Sequence, residues 1–260
     1  MHKISFKLLA KDTFGQYIFL KKAVFRLFGR VTYKRFTKKN IPEVNGAEIF
    51  AQLPQKNVLI ISNHQTYFAD VAFMFHVIHS ALDGNPNQLK LKSLLKVGKS
   101  DIYYVAAEET MKSGLLPKIL GLSGAISIKR TWREAGKEIK RKVDQKDTDN
   151  IQKALDAGWV ITFPQGTTKA FAPGRKGTAH IIKNYQPIVV PVVINGFRRA
   201  FDKKGLFLKK KGTKLQLTVK EPLNIDYDDH IENIMQTIMD GIEQSRKFEW
   251  RAKESVKSES

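Results

Sequence analysis

The chain has 260 residues, of which 42% are hydrophobic and 27% charged, with no cysteine and a formal net charge of +20. This composition is typical of a globular protein with a sizeable core, and the absence of cysteine excludes disulfides, thiolate metal sites and a cysteine nucleophile. So large a positive charge indicates an anionic partner, either nucleic acid or an anionic membrane surface, with a solvated basic surface as the plain alternative.

The N-terminal segment, residues 1–39, mixes basic and apolar residues. No apolar stretch reaches the roughly 18 residues that a transmembrane helix needs, and charged residues interrupt any continuous run typical of a signal peptide. The segment predicts a basic amphipathic helix that lies in the membrane interface, or one packed on its own domain, and different faces can serve both roles. Its basic positions are Lys3, Lys7, Lys11, Lys21, Lys22, Arg26, Arg30, Lys34, Arg35, Lys38 and Lys39.

Beyond Pro42, short β-branched runs alternate with helical stretches. The predicted strands are residues 57–62, 101–106, 125–128, 159–163 and 187–195, with the first and the last expected to be buried, and the alternating run 214–219 predicts an edge strand. The predicted helices are residues 70–79, 133–157 and 230–248. This alternation predicts an α/β fold with a central mixed sheet flanked by helices. We expect one domain at residues 46–250, between the helical segment 1–45 and a polar tail at 251–260.

A histidine and an aspartate follow the first predicted strand directly. They lie in the segment Ser-Asn-His-Gln-Thr-Tyr-Phe-Ala-Asp, with His64 and Asp70 as the pair. The ends of strands are where α/β folds place reactive groups. A histidine whose tautomer is held by a carboxylate is a general base, which can remove a proton from a hydroxyl. The alternative for each residue is a purely structural role, as a helix cap or in the core.

Two other segments at strand ends carry polar groups suited to an anion. In Phe-Pro-Gln-Gly-Thr-Thr, residues 163–168, Gly166 permits a tight turn whose N–H groups can face an anion. In Gly-Ala-Ile-Ser-Ile-Lys-Arg, residues 124–130, Arg130 is suited to bidentate contact with phosphate or carboxylate. A generic turn and a surface arginine are the alternatives.

Four blocks in order resemble the lysophospholipid acyltransferase superfamily, whose best-known members are the 1-acyl-glycerol-3-phosphate acyltransferases. The family block N-H-x-x-x-x-D resembles residues 63–70, G-x-x-F-I-x-R resembles 124–130, F-P-E-G-T-R-S resembles 163–168, and V-x-P-V-x-I resembles 189–194. The resemblance implies an acyltransferase in which His64 is the general base, Asp70 its partner, and Arg130 with the Gly166 turn holds the acceptor's anionic head. The substrate-binding candidates are Asn63, Lys129, Arg130, Gln165, Gly166, Thr167, Thr168, Lys169, Arg175 and Lys176.

Three departures from the family pattern concern the site. The histidine and aspartate are one residue further apart than usual, and on a regular helix that spacing leaves the side chains roughly 120° apart, so His64 must precede the helix or the extra residue must bulge. Gln165 replaces the usual glutamate. Thr168 stands where the family's arginine would contact phosphate, so Lys169, Arg175 or Lys176 must supply that charge if the acceptor is a phosphate monoester.

The resemblance implies transfer of an acyl group from acyl-CoA or acyl-carrier protein to a lyso-lipid hydroxyl, without an acyl-enzyme, a metal or another cofactor. Lysophosphatidate is the default acceptor, and a lyso-aminolipid (an N-acylated amino acid) is the second. We expect a peripheral location on the cytoplasmic face of the cell membrane. The alternative from another class is a non-catalytic basic protein that binds anionic lipid or nucleic acid. Nucleic acid is not expected as a partner, because the aromatic residues lie in apolar runs rather than among exposed basic residues.

Overall fold

A seven-stranded mixed sheet forms the centre of the computed structural model, which describes residues 10–96, 98–129, 133–134, 137–138 and 144–250. The strands are β1 (Ile41–Asn45), β2 (Val58–Ser62), β3 (Ile102–Ala107), β4 (Ala125–Ile128), β5 (Arg133–Glu134), β6 (Lys137–Glu138), β7 (Trp159–Thr162), β8 (Ile188–Asn195) and β9 (Lys214–Val219). The strand order in the sheet is β1-β9-β8-β2-β7-β3-β4, and all neighbours are parallel except β8 and β9. Strands β5 and β6 form a separate antiparallel pair.

Helices cover both faces of the sheet. They are α1 (Ile18–Thr37), α2 (Ile49–Gln52), α3 (Ala69–Leu82), α4 (Leu91–Lys96), α5 (Glu108–Lys112), α6 (Leu115–Gly121), α7 (Gln145–Ala157), α8 (Lys176–Tyr185), α9 (Phe197–Ala200) and α10 (Ile231–Gly241), with a 3₁₀ turn at Arg246–Phe248. Alternate residues of β2 enter different cores: Ile60 packs with α1 and α3, and Leu59 with α7, α8 and α10. The predicted α/β class, with a mixed sheet flanked by helices, is confirmed.

Two predicted elements differ from the structure at the sheet and before α7. Lys214–Val219 is not an edge strand, because β1 lies outside it and is itself the edge. Its alternation reflects one covered face rather than an edge position, with Leu215, Leu217 and Val219 buried. The helix predicted at 133–157 begins only at Gln145. The Asp144 carboxylate accepts the N–H of Lys146 and so caps the N-terminus of this helix.

Helix α1 packs against the domain, since Phe25 and Phe36 belong to the core shared with α3. It also buries Lys21, whose Nζ lies 4.3 Å from the ring centroid of Tyr103. The end of the predicted helical segment 1–45 is corrected: residues 41–45 are strand β1, and Pro42 is tolerated there because an edge strand need not pair every N–H. Within the described part of the chain, no helix is both long and apolar enough to span a membrane. Residues 1–9 and the predicted tail at 251–260 lie outside the described residues.

Candidate active site

Three adjacent strands bring three sequence segments to one edge of the sheet. Strands β8, β2 and β7 are neighbours and mutually parallel, so their carboxyl ends meet. The loop 63–68 follows β2, the loop 163–175 follows β7, and the short helix α9 follows β8. This edge is the usual position of a site in an open α/β sheet.

His64 and Asp70 form a hydrogen-bonded pair, with the histidine Nδ1 2.9 Å from Asp70 Oδ2. The added residue is absorbed because His64 lies in the loop and only Asp70 lies on α3, as its second residue. The 120° separation expected on a regular helix therefore does not arise. The predicted approach of the two side chains is confirmed.

The Asp70 carboxylate is fully buried and organises the loop around itself. Besides His64, it accepts the N–H groups of Gln65 at 2.6 Å and Thr66 at 2.9 Å, and the Thr66 hydroxyl at 2.6 Å. A carboxylate accepts hydrogen bonds, so the imidazole Nδ1 carries the proton and Nε2 has the free lone pair. A histidine whose tautomer is held in this way can act as a general base.

Phe163 fixes the plane of the imidazole. Its ring stacks on His64 with 3.9 Å between centroids and 22° between planes. Phe163 follows β7 directly. The predicted motif at residues 163–168 therefore contributes an apolar wall to the motif that contains His64. The histidine side chain is 13% exposed, so it is largely enclosed by these neighbours.

Residues 63–68, the histidine loop, are also supported by the segment that follows α9. The sequence did not indicate this contact. The N–H groups of Tyr67 and Phe68 donate to the carbonyls of Lys203 and Lys204 at 3.1 and 3.0 Å. Gly205 follows, with φ +77°, and a Cβ there would lie 2.6 Å from the backbone nitrogen of Ala69. The position therefore needs glycine both for its backbone angle and for the close approach.

Asn63 holds the histidine loop to β8. Its side-chain nitrogen donates to the carbonyl of Ile194 at 2.9 Å, and its side-chain oxygen accepts the Ile194 N–H at 2.8 Å. Both ends of the amide are thus used in pairing with backbone. The structure places this predicted substrate-binding residue beside the site in a positioning contact.

The turn predicted around Gly166 is present. Gly166 has φ +61° and donates its N–H to the Phe163 carbonyl at 2.9 Å. Gln165 is buried and donates from Nε2 to the carbonyl of Ala172 at 2.9 Å and to Gln244 Oε1 at 3.3 Å. A carboxylate cannot donate in this way, so the glutamine suits the contacts that this loop makes. The Thr167 hydroxyl accepts the N–H of Lys169 at 3.3 Å.

The predicted cations do not all gather at this edge. Lys176 forms an exposed ion pair with Glu232 of α10. Lys129 lies after β4, which is separated from β2 by two strands, or roughly 14 Å at about 4.8 Å per strand step. Its Nζ is 3.5 Å from Asp144 Oδ2. Arg130 lies outside the described residues.

Lys169 and Arg175 stay on the loop that carries the Gly166 turn. Lys169 is exposed, and Arg175 donates its backbone N–H to the carbonyl of Pro164 at 2.8 Å, just before α8 begins. That hydrogen bond joins the two ends of the loop that follows β7.

A further cation, which is not among the residues predicted from the sequence, lies at the site. Arg198 of α9 donates from its guanidinium to the carbonyl of Thr168, and its backbone N–H donates to Gln65 Oε1 at 3.2 Å. It joins the histidine loop to the Gly166 turn. Its only sequence signal is its position shortly after the fourth motif, whose family pattern does not extend that far.

An apolar cavity of about 280 Å³ adjoins the histidine loop. Phe68 and Ala69 line it beside the loop, and α1, α3, α6 and the segment around Leu206 form its walls. Its few polar residues include Thr32 and His76, which are joined through Thr32 Oγ1 and His76 Nε2 at 2.9 Å. Helix α1 supplies a large share of this wall.

Comparison with known proteins agrees with these motifs. The family model described as Acyltransferase matches residues 35–195, more than half of the chain. Among solved structures, the fold is similar to the 1-acyl-sn-glycerophosphate (LPA) acyltransferase PlsC from Thermotoga maritima, with 16% identity, a TM-score of 0.52, and coverage of 86% of this chain and 78% of that one. Among curated proteins, none matches significantly. The resemblance carried by the four motifs is confirmed in family and fold, and the chain belongs to the Acyltransferase family.

Proposed function

We propose that the protein transfers a fatty acyl group from an acyl thioester, acyl-CoA or acyl-carrier protein, to a hydroxyl of a lysophospholipid. The observation that carries the proposal is the His64–Asp70 pair, 2.9 Å apart at the meeting point of three strand ends, beside an apolar cavity. The default acceptor is lysophosphatidate, which would give phosphatidate. The Thermotoga protein of similar fold is named for transfer to that kind of acceptor.

In the proposed reaction, His64 Nε2 takes the proton from the acceptor hydroxyl as its oxygen attacks the thioester carbonyl carbon. The new C–O bond gives a tetrahedral intermediate, which collapses with cleavage of the C–S bond. The imidazolium then returns the proton to the thiolate leaving group, so atoms and charge balance. Asp70 stabilises the imidazolium through Nδ1 and keeps the ring oriented against Phe163.

The cavity also supports the proposal, because it is suited to bind an acyl chain. It lies against Phe68 and Ala69, next to the loop that carries the base, and most of its lining is hydrocarbon or aromatic. Burial of methylene groups there would contribute about 0.8 kcal/mol each. A fatty acyl chain in this cavity would place its carbonyl end toward the histidine loop.

Attachment to an anionic membrane surface belongs to the same proposal, on the cytoplasmic face where the thioester donors are. It is supported by the net charge of +20 and by exposed apolar side chains near the cavity, with Val31 46% and Phe207 70% exposed. Both residues line the cavity, so a lipid would enter it from the surface on which these side chains lie.

The test of the catalytic proposal is His64→Ala, assayed with labelled acyl-CoA and acyl-carrier protein against lysophosphatidate and an N-acylated amino acid. We expect kcat to fall by about 10²–10⁴-fold or more, because general-base catalysis contributes that much. His180→Ala, which removes an exposed histidine on α8, is the matched control. Most of the activity surviving in a folded His64→Ala protein would refute the assignment. A wild type that transfers to neither acceptor, yet binds anionic vesicles, would favour the non-catalytic lipid-binding alternative.

A further inference from the structure

The Gly166 turn lacks the cation that the family pattern has at position 168. Thr168 stands there, with a carbonyl and a hydroxyl but no positive charge. An anionic acceptor head desolvated at this edge needs charge-assisted hydrogen bonds, and a guanidinium is the side chain best suited to bind phosphate or carboxylate oxygens. A cation placed beside Thr168 by another part of the chain would meet that need.

Arg198 is in that place. Its guanidinium donates to the carbonyl of residue 168 itself. The backbone of Arg198 donates to Gln65, the neighbour of His64, at 3.2 Å. The side chain therefore lies between the loop that carries the base and the turn that lacks its cation.

The rest of the Arg198 side chain is available for a ligand. It is exposed, and among the described residues no carboxylate pairs with it. A guanidinium presents several N–H donors in a planar fork, and the contact with the Thr168 carbonyl occupies one terminal nitrogen. The carbonyl orients the group without neutralising its charge.

The local fold explains how a residue of α9 reaches the turn. Gly196 has φ +88°, and its N–H donates to the side chain of Asn195 at 2.8 Å, so the chain reverses sharply after β8. Phe197 is fully buried and anchors α9 in the core, which directs the next residue outward beside the Gly166 turn. Lys209 Nζ lies 3.3 Å from the Arg198 carbonyl and adds a second positive charge to this region.

We propose that Arg198 binds the anionic head of the acceptor, in place of the arginine that is missing at position 168. This inference rests on the proposed acyl transfer and specifies which residue selects an anionic acceptor. The shared chemistry is an oxyanion, either a phosphate monoester or a carboxylate. Arg198 makes a substrate-binding contact, and His64 remains the base.

The experiment compares Arg198→Gln, Arg198→Lys and wild type with three acceptors: lysophosphatidate, an N-acylated amino acid and the neutral monoacylglycerol. For the anionic acceptor that the wild type uses, we expect kcat/KM of Arg198→Gln to fall by about 10- to 100-fold, mainly through KM. Activity with monoacylglycerol and the KM for the acyl donor should stay within about twofold of wild type. Arg198→Lys should recover part of the loss, since it keeps the charge but not the fork. Which anionic acceptor shows the loss identifies phosphate or carboxylate as the head that is bound.

Two further variants separate ligand binding from a structural role. Lys146→Gln on α7 removes one positive charge from the opposite face of the sheet and should behave as wild type. Thr168→Arg in the Arg198→Gln background returns a guanidinium to the turn and should restore the KM for the anionic acceptor. Equal loss with charged and neutral acceptors, no effect of Arg198→Gln, or no rescue by Thr168→Arg would each overturn the inference while leaving the wild-type reaction intact. A wild type that transfers to none of the three would instead refute the proposed function.

Discussion

At the scale of single residues, the site depends on a loop whose hydrogen bonds converge on Asp70. The Asp70 carboxylate accepts two backbone N–H groups, one hydroxyl and the imidazole, so it orders the loop as well as the imidazole. A buried carboxylate without these donors would be costly. Loss of loop order would therefore be expressed as loss of catalysis, because a misplacement of about 1 Å can cost roughly 10²-fold in rate.

Gly205→Ala tests how tightly the loop is supported. The new methyl group would meet the Ala69 nitrogen at 2.6 Å and the Thr66 hydroxyl at 2.8 Å, in a backbone conformation with φ +77°. Gly212→Ala is the matched control, since its φ is +71° and nothing lies within 4 Å of its Cβ. We expect the control to lose about 1 kcal/mol of unfolding free energy. Gly205→Ala should lose more and also lower kcat at least about tenfold.

Urea unfolding and steady-state kinetics measure the two effects. Equal loss of stability in Gly205→Ala and Gly212→Ala, with full kcat in Gly205→Ala, would contradict the claim that the segment containing Gly205 supports the histidine loop. Both variants carry a similar backbone strain. Any additional loss of unfolding free energy in Gly205→Ala therefore measures the contact with the histidine loop.

At the scale of elements, α1 presents two different faces. One face carries Phe25 and Phe36 into the core, and the outer face exposes Leu27 and Val31, which are 64% and 46% exposed. These two residues are one turn apart and lie on the same side of the helix. Deletion of the helix would therefore remove part of the core, so point substitutions are the better test of membrane attachment.

Leu27→Glu with Val31→Glu should weaken binding to anionic vesicles at least about tenfold, because it removes two apolar side chains from the interface and adds repulsion. The measurement is co-sedimentation with phosphatidylglycerol vesicles at two salt concentrations. Ile41→Glu, at an apolar position 54% exposed on the edge strand β1, is the control. Unchanged binding by the double variant, with its thermal unfolding also unchanged, would show that another surface attaches the protein.

At the scale of the whole molecule, the contact between α1 and α3 contains two buried histidines. Burial lowers the pKa of His76 to about 3, with His79 adding repulsion, and lowers the pKa of His79 to about 4, with Lys21 adding repulsion. His76 bonds Thr32 of α1, and the His79 ring lies 5.8 Å from that of Phe25. Both histidines are thus held neutral where the cavity wall joins the core.

Stability should fall as the pH is lowered through this range. Between the folded pKa values of about 3 and 4 and the ordinary value of 6.5, the unfolded chain binds more protons than the folded one, so acid favours unfolding. The loss should approach about 1.4 kcal/mol per histidine at pH 5.5. Urea midpoints measured from pH 8 to pH 5 test this, with pH 8 as the reference.

His79→Phe should flatten that pH dependence by about half, because one of the two proton-linked groups is removed and an apolar ring takes its place. An unchanged slope in the variant, or a wild type equally stable at pH 8 and pH 5.5, would contradict the assignment of the acid sensitivity to this contact.

The sequence by itself determined the α/β class, most of the strands and the pairing of His64 with Asp70. These depend on local information: β-branched runs such as 58–61 are buried on both faces, and the order of four motifs is a property of the chain. The Asp144 cap of α7 is likewise local, although the predicted helix starts at residue 133 and the observed one at Gln145.

Only the tertiary structure decided how the parts combine. Strand order made β1 the edge and brought the ends of β8, β2 and β7 together, and neither follows from periodicity along one segment. Gly205, Phe163 and Arg198 reach the histidine loop from positions far along the chain. Their roles arise from contacts between distant segments, which no local pattern of charge or hydrophobicity encodes. For the same reason, Lys129 and Lys176, plausible ligands in the linear sequence, are directed by the fold to carboxylates elsewhere.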